Sequence, residues 1–221
     1  MVVKIKHILL TFDIEEFDMP LEFGLKISED EIFERSFVGT KRILELVNNK
    51  KIKSTFFITP RFASKYPELV KEISEKHEVA LHGYHDHSYN YKVVERDVAF
   101  KDLKEGKEML SKITGKEVKG FREPRLQKPP YSILKKTGFE YDSSLNPTFI
   151  PGRYNNLISN REPFSIEGVK IYPLSVTPLV RLPLFWFAFR NLGLSYGKFV
   201  TKLSLMDQDF HRLDLHLQKP G

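Results

Sequence analysis

A chain of 221 residues with 41% hydrophobic and 13% aromatic residues can bury one ordinary core, which excludes a disordered or fibrous polymer. It has no cysteine, which excludes disulfides, thiolate metal sites and a cysteine nucleophile. The net charge of +6 is spread along the chain with no basic block interleaved with aromatics, so no nucleic-acid partner is expected.

In chain order, Lys6 to Glu15 is an apolar run ending in acids and reads as a strand. No secretory pattern precedes it, so a cytoplasmic location is the expectation. Ser28 and Glu31 form a capping box, followed by the helical stripe Ile32, Phe33, Val38, Ile43, Leu44 and Val47. Ser54 to Thr59 is a short strand ended by Pro60. A helix near Pro67 to His77 leads to a strand, Glu78 to His82. Lys92 to Thr114 is a long amphipathic helix stopped by Gly115. Val118 to Phe121 is a strand running into Arg122, Pro130 to Thr137 a helix ended by Gly138, and Phe139 to Asp142 the next strand.

From Asn146 to Gly168 the pattern weakens into a flap-like excursion, and Gly168 to Val176 reads as a further strand. Leu179 to Leu194 is the most apolar segment, but Arg181, Pro183, Arg190 and Asn191 interrupt it, so no transmembrane span is expected. Core or a substrate-facing wall is the first reading of this segment; contact with a membrane surface stays open. Within it, Phe185, Trp186 and Phe187 read as core or as a platform for sugar faces. Arg212 to Leu217 is a last strand-like run that carries His216.

The repeated strand–helix order predicts an α/β fold with a parallel sheet or barrel and outer helices, in one domain over residues 1–221. In such folds chemistry sits at the carboxyl ends of the strands. The polar residues at those ends are Asp13 and Glu15, Thr59, His82, Arg122 and Asp142. Asp13 and Glu15 are two apart and share a face of an extended strand; such close carboxylates favour a cation between them. Taken alone, this run reads first as a solvated acidic turn. His82, His85, Asp86 and His87 lie within six residues of a chain with seven histidines, and these donors suit zinc, cobalt, nickel or iron. Arg122 can hold a carboxylate through two hydrogen bonds or form a plain surface ion pair. His216 on its apolar strand can be catalytic or a satisfied structural group.

Together the segments Thr11 to Glu15, His82 onward, Arg122-Glu123-Pro124, Tyr141-Asp142-Ser143-Ser144 and Leu213 to His216 resemble the motifs of the polysaccharide deacetylases, carbohydrate esterase family 4, in order. The closest likeness is to a subgroup with Asp-x-Glu in the first motif. The resemblance implies a distorted (β/α) barrel of about seven parallel strands. It implies removal of N-acetyl groups from an N-acetylated sugar polymer or oligosaccharide, with release of acetate. One divalent metal, zinc first and cobalt, nickel or iron as alternatives, would be held by Glu15, His82 and a third ligand. Asp13 would be the base, Arg122 would fix it, His216 would protonate the leaving amine, and Asp142 would orient His216. Two departures matter. Ile14 separates acids that are often adjacent in the family, leaving Glu15 as the ligand and Glu16 in reserve. The second histidine of His-x-x-x-His falls on Asp86, so either Asp86 substitutes or His87 supplies the imidazole, His87 being preferred.

Two other readings stand beside this one. The same clan hydrolyses cyclic amides and imides such as allantoin. The irregular second motif also suits a non-catalytic carbohydrate-binding protein on the same fold. The sequence specifies no oligomeric state.

Overall fold

The computed structural model describes residues 7–84, 94–206 and 212–213. Its centre is a seven-stranded sheet in the order β2-β3-β4-β5-β6-β10-β9. The strands are β2 (Leu10–Ile14), β3 (Ser54–Ile58), β4 (Glu78–His82), β5 (Gly120–Arg122), β6 (Tyr141–Asp142), β9 (Phe164–Ile166) and β10 (Val169–Ile171). Six of these, β2 to β6 and β10, run parallel, each beside its predecessor in the sheet. A short strand β1 (His7–Ile8) precedes β2 and pairs in parallel with β11 (Arg212–Leu213). A second small pair, β7 (Phe149–Ile150) and β8 (Tyr154–Asn155), forms a hairpin within the excursion after β6.

The expected barrel of parallel strands is therefore present as a sequentially wound parallel sheet, with one difference. The edge strand β9 runs antiparallel to β10. The reason is local: only Glu167 and Gly168 join the two, both at positive φ (51° and 80°), which makes a tight hairpin turn. A parallel crossover needs a dozen or more residues.

The helices form where caps and periodicity place them. In α2 (Glu29–Asn49) the Ser28 Oγ accepts from the Glu31 N–H at 3.2 Å. Its buried stripe is Ile32, Phe33, Thr40, Leu44 and Val47, while Val38 is exposed. Two short helices were not expected, α1 (Met19–Glu22) and α3 (Pro60–Lys65); α3 starts on a Thr59 cap with Pro60 at its first position. After α4 (Pro67–Lys76), α5 (Arg96–Thr114) packs on β4 and between α4 and α6 (Tyr131–Lys136). It ends at left-handed Gly115. The last helix, α7 (Trp186–Met206), turns sharply at Gly193.

Strand alternation divides the sheet into two unlike faces. Phe56, Ile58, Val79, Leu81, Phe121 and Ile171 point to the helices and belong to the main core. At about 1.5–3 kcal/mol for each fully buried large apolar side chain, this face carries most of the apolar stabilisation. The opposite face bears a small cluster of Phe57, Ala80, Tyr141 and Tyr172. Below it Thr55 and Tyr141 donate to the two oxygens of Glu78, at 2.6 and 2.8 Å. Aromatic rings and a satisfied polar pair thus occupy this face below the carboxyl ends of the strands.

The segment Leu179 to Leu194, read first as core or a substrate-facing wall, is only partly core. Leu179, Val180, Leu192 and Leu194 are exposed, while Leu184 and Ala188 are buried. The side chains of Trp186 and Phe187 lie outside the described residues.

Candidate active site

Parallel register places Glu15, His82, Arg122, Ser143 and Tyr172 on one face at the strand ends. His82 stands opposite Arg122, and the pairing of Phe121 with Asp142 carries Arg122 to Ser143. Thr11 and Asp13 lie on the same face of β2, because residues two apart share a side.

Arg122 organises this face. It is 3% exposed, and each of its nitrogens is engaged. Nη1 donates to Asp13 Oδ1 and to Thr11 Oγ1, both at 2.9 Å. Nε donates to the Ser143 carbonyl at 2.9 Å, and Nη2 to Ser143 Oγ at 2.8 Å. The guanidinium lies 4.2 Å from the Phe57 ring centroid, which supports its flat side by cation–π attraction. Ser143 Oγ in turn donates a hydrogen bond to the Tyr172 carbonyl at 3.0 Å. The rigid fork therefore has one orientation, and it holds Asp13 from below while leaving that carboxylate open to the cleft.

His82 is the second fixed group. It is 2% exposed, and Nδ1 lies 3.0 Å from the Arg122 carbonyl. A carbonyl only accepts, so Nδ1 carries the hydrogen and Nε2 faces the Glu15 carboxylate, 3.0 Å away. Burial opposes the charged imidazole, but the charges of Asp13 and Glu15 and the Glu15 hydrogen bond outweigh it and raise its titration above the ordinary histidine range. This is the donor arrangement that suits a cation. An imidazole whose Nδ1 is fixed by a backbone carbonyl aims Nε2 at a carboxylate oxygen, an arrangement in which a cation can take the place of the Nε2 hydrogen. Glu15 and His82 fit two ligand positions. The backbone supports the geometry at Gly83, whose φ of 58° and close approach to Pro124 leave no room for a side chain.

The other expected residues divide into three groups. Asp86, His87 and His216 lie outside the described residues. Among the described residues no cluster of three histidines or acids forms. Glu16, the reserve ligand, is buried and accepts from Thr59 Oγ1 at 2.9 Å, at the start of α3, with its titration raised by burial. Asp142 is fully buried on the helix-covered face, opposite to Arg122. Its Oδ1 accepts from the Ser144 N–H and hydroxyl, and its Oδ2 has no partner. Burial pushes it up to about 7, against the lowering hydrogen bonds of Ser144 and the charge of Arg122. Beside it Glu123, also buried with Oε2 unpartnered, is raised well above the carboxylate range, first by burial and then by Asp142. The residue of this motif that reaches the site is Ser143. Residue-type reasoning passed over it, yet strand alternation beside Arg122 was the signal that could have found it.

At the carboxyl ends of this wound sheet a carboxylate–imidazole pair thus stands beside an arginine-held acid. The chain belongs to the polysaccharide deacetylase family, whose model matches residues 2–141. Among solved structures it is similar to a Mycobacterium smegmatis protein assigned to the polysaccharide deacetylases, with 24% identity and a TM-score of 0.59 over 76% of this chain. It is similar to Puue allantoinase at 18% identity, with a TM-score of 0.53 over 76% of this chain. A family 4 carbohydrate esterase from Streptomyces lividans, solved with acetate, matches at 18% identity over 62% of each chain, with a TM-score of 0.48. The chain spans 58% of the length of the first and 61% of the second. At these identities the likeness speaks to the fold. No curated protein sequence matches the chain.

Proposed function

We propose that this protein is a metal-dependent hydrolase that removes N-acetyl groups from an N-acetylated sugar polymer or oligosaccharide. The observation that carries the reading is the shared face on which Arg122 holds Asp13 while Glu15 and His82 converge to 3.0 Å. Glu15 and His82 would hold the ion, with the third ligand at His87 or Asp86. Zinc is the first candidate, and a bound divalent ion of this kind supplies Lewis acidity and lowers the pKa of water from about 16 towards about 7.

The chain's own groups do the rest. Asp13 takes the proton from the attacking water, its carboxylate oriented by Arg122 and open to the cleft. The buried Arg122 stays charged and keeps Asp13 in place as the proton arrives. His216 delivers a proton to the departing amine, so that free amine and acetate leave. The filled floor of Phe57, Tyr141 and Glu78 keeps bulk water from reaching Asp13 from the other end of the sheet.

The test is metal content after purification, followed by acetate release from chitooligosaccharides and peptidoglycan fragments, with a cyclic imide for comparison. Metal-dependent acetate release supports the reading. Ring opening without acetate release moves the substrate to cyclic amides. A metal-free protein inactive on all three after addition of zinc or cobalt overturns it.

A further inference from the structure

The last third of the chain carries a feature that hydrolysis does not use. From Gly168 to Met206 there is no Asp or Glu, although the chain has 29 of them. The stretch holds Arg190, Lys198 and Lys202, all exposed and without an ion pair among the described residues. Interspersed with them are large apolar side chains left in water: Leu192 is 59% exposed, Leu194 74% and Phe199 56%. Leu179 and Val180, in the preceding loop, are 94% and 67% exposed. Single exposed apolar residues are ordinary, but a concentration of them on one element marks an interaction surface.

The helix has two sides. Gly197, Val200 and Ser204 are buried, at helical spacing, and face the protein. Leu194, Lys198 and Lys202 follow one another at intervals of four along the outer side. A groove of about 720 Å³ runs beside this row, lined by Phe189, Leu194, Gly197 and Leu205 together with Lys198 and Lys202. The hydroxyl of Tyr196 donates to the Pro183 carbonyl at 3.0 Å, tying the helix to the loop before it. That loop leaves the carboxyl end of β10, where Tyr172 accepts from Ser143. The loop therefore connects α7 to the end of the sheet that holds the candidate site.

We propose that α7 and its preceding loop dock on an anionic lipid surface, with the apolar side chains entering the interface and Arg190, Lys198 and Lys202 meeting the headgroups. Charge selects the occupant. Cations without acids complement phosphate, and lysine stems can lie along acyl chains while their ammonium groups stay at headgroup level. A soluble polyanion such as nucleic acid would satisfy the cations but leave the leucines in water. No described helix is long and apolar enough to cross a membrane.

Vesicle flotation of the full chain tests this without any substrate, so its failure is separable from failure of the hydrolytic reading. The protein is expected to float with vesicles in which a third of the lipid is phosphatidylglycerol and the rest phosphatidylcholine. It should stay behind with phosphatidylcholine alone, and rising salt should release it. At about fivefold per cation, Lys198→Gln with Lys202→Gln should weaken partitioning about thirtyfold. Leu192→Asp with Leu194→Asp should abolish it, and unchanged circular dichroism shows that each variant is folded. Absence of flotation with the anionic vesicles, or flotation indifferent to both double variants, overturns the proposal. So does dimerisation in lipid-free sedimentation that the leucine variant abolishes, because the face would then belong to a second copy.

Discussion

Arg122 Nη1 lies 2.9 Å from Asp13 Oδ1, a contact between residues 109 positions apart that spans the inner face of the sheet. The same guanidinium touches Ser143 at two atoms, so the orientation of Asp13 is set from β6 through β5 to β2. This relay yields the first two predictions.

Asp13→Asn should lower acetate release by a hundredfold to ten-thousandfold, the usual range for loss of a general base. Metal binding should persist, because Glu15 and His82 are untouched. Steady-state kinetics with metal analysis of the same sample checks it, and full turnover by the variant would remove Asp13 from the role.

Ser143→Ala removes the hydroxyl from Arg122 Nη2 but leaves the carbonyl on Nε. A fall in kcat of about fivefold with little change in KM is expected, matching about 1 kcal/mol for one hydrogen bond. Ser143→Thr keeps the hydroxyl and should restore most of the rate. Equal loss in both variants would point to packing instead.

For the metal, His82→Ala and Glu15→Gln should each reduce bound zinc to well below one ion per chain, measured by elemental analysis after dialysis. Asp142→Asn should leave occupancy near wild type, since Asp142 sits on the other face of the sheet. A chelator should abolish wild-type turnover, and zinc or cobalt should restore it.

Asp142 predicts a pH dependence of stability. Burial holds its pKa at about 7 in the folded chain against an ordinary aspartate value of 3.8. Between these values the folded state binds the extra proton, so stability falls as pH rises from about 4 to about 7 and levels off above. At 1.36 kcal/mol per pKa unit the loss is on the order of 4 kcal/mol. Thermal melts should therefore show a lower Tm at pH 8 than at pH 5. Asp142→Asn should flatten that difference and melt higher than wild type at pH 8. A wild-type Tm that rises across the interval would contradict a carboxyl raised by burial.

Gly83→Ala tests the backbone that carries His82. A Cβ there would stand 2.6 Å from Pro124 Cδ, at a left-handed φ of 58°. Strain and overpacking together should cost about 2–4 kcal/mol, read as a lower Tm, with weakened metal affinity.

Much of the fold was legible before any coordinates. Ser28 capping α2, Gly115 ending α5, and the apolar runs before Asp13, Thr59, His82 and Arg122 are local signals, and local signals determine elements. The antiparallel β9 was not legible, because two residues in a positive-φ turn decided its direction within a stretch of weak pattern. The motifs also marked Asp13, Glu15, His82 and Arg122 as one functional set, and the inner face brings those four together. In the aspartate motif, residue type drew attention to Asp142, whereas register gave the inner face to Ser143.

The sequence by itself therefore determined the alternation of strands and helices, the family and the chemistry of the side chains at the strand ends. Tertiary structure alone decided which of two adjacent residues reaches Arg122, and that the acid beside it is buried among helices. The physical reason is the period of the strand. Side chains alternate strictly, so a shift of one residue in pairing exchanges the two faces. That register is set by neighbouring strands far away in the chain rather than by the residues of the motif.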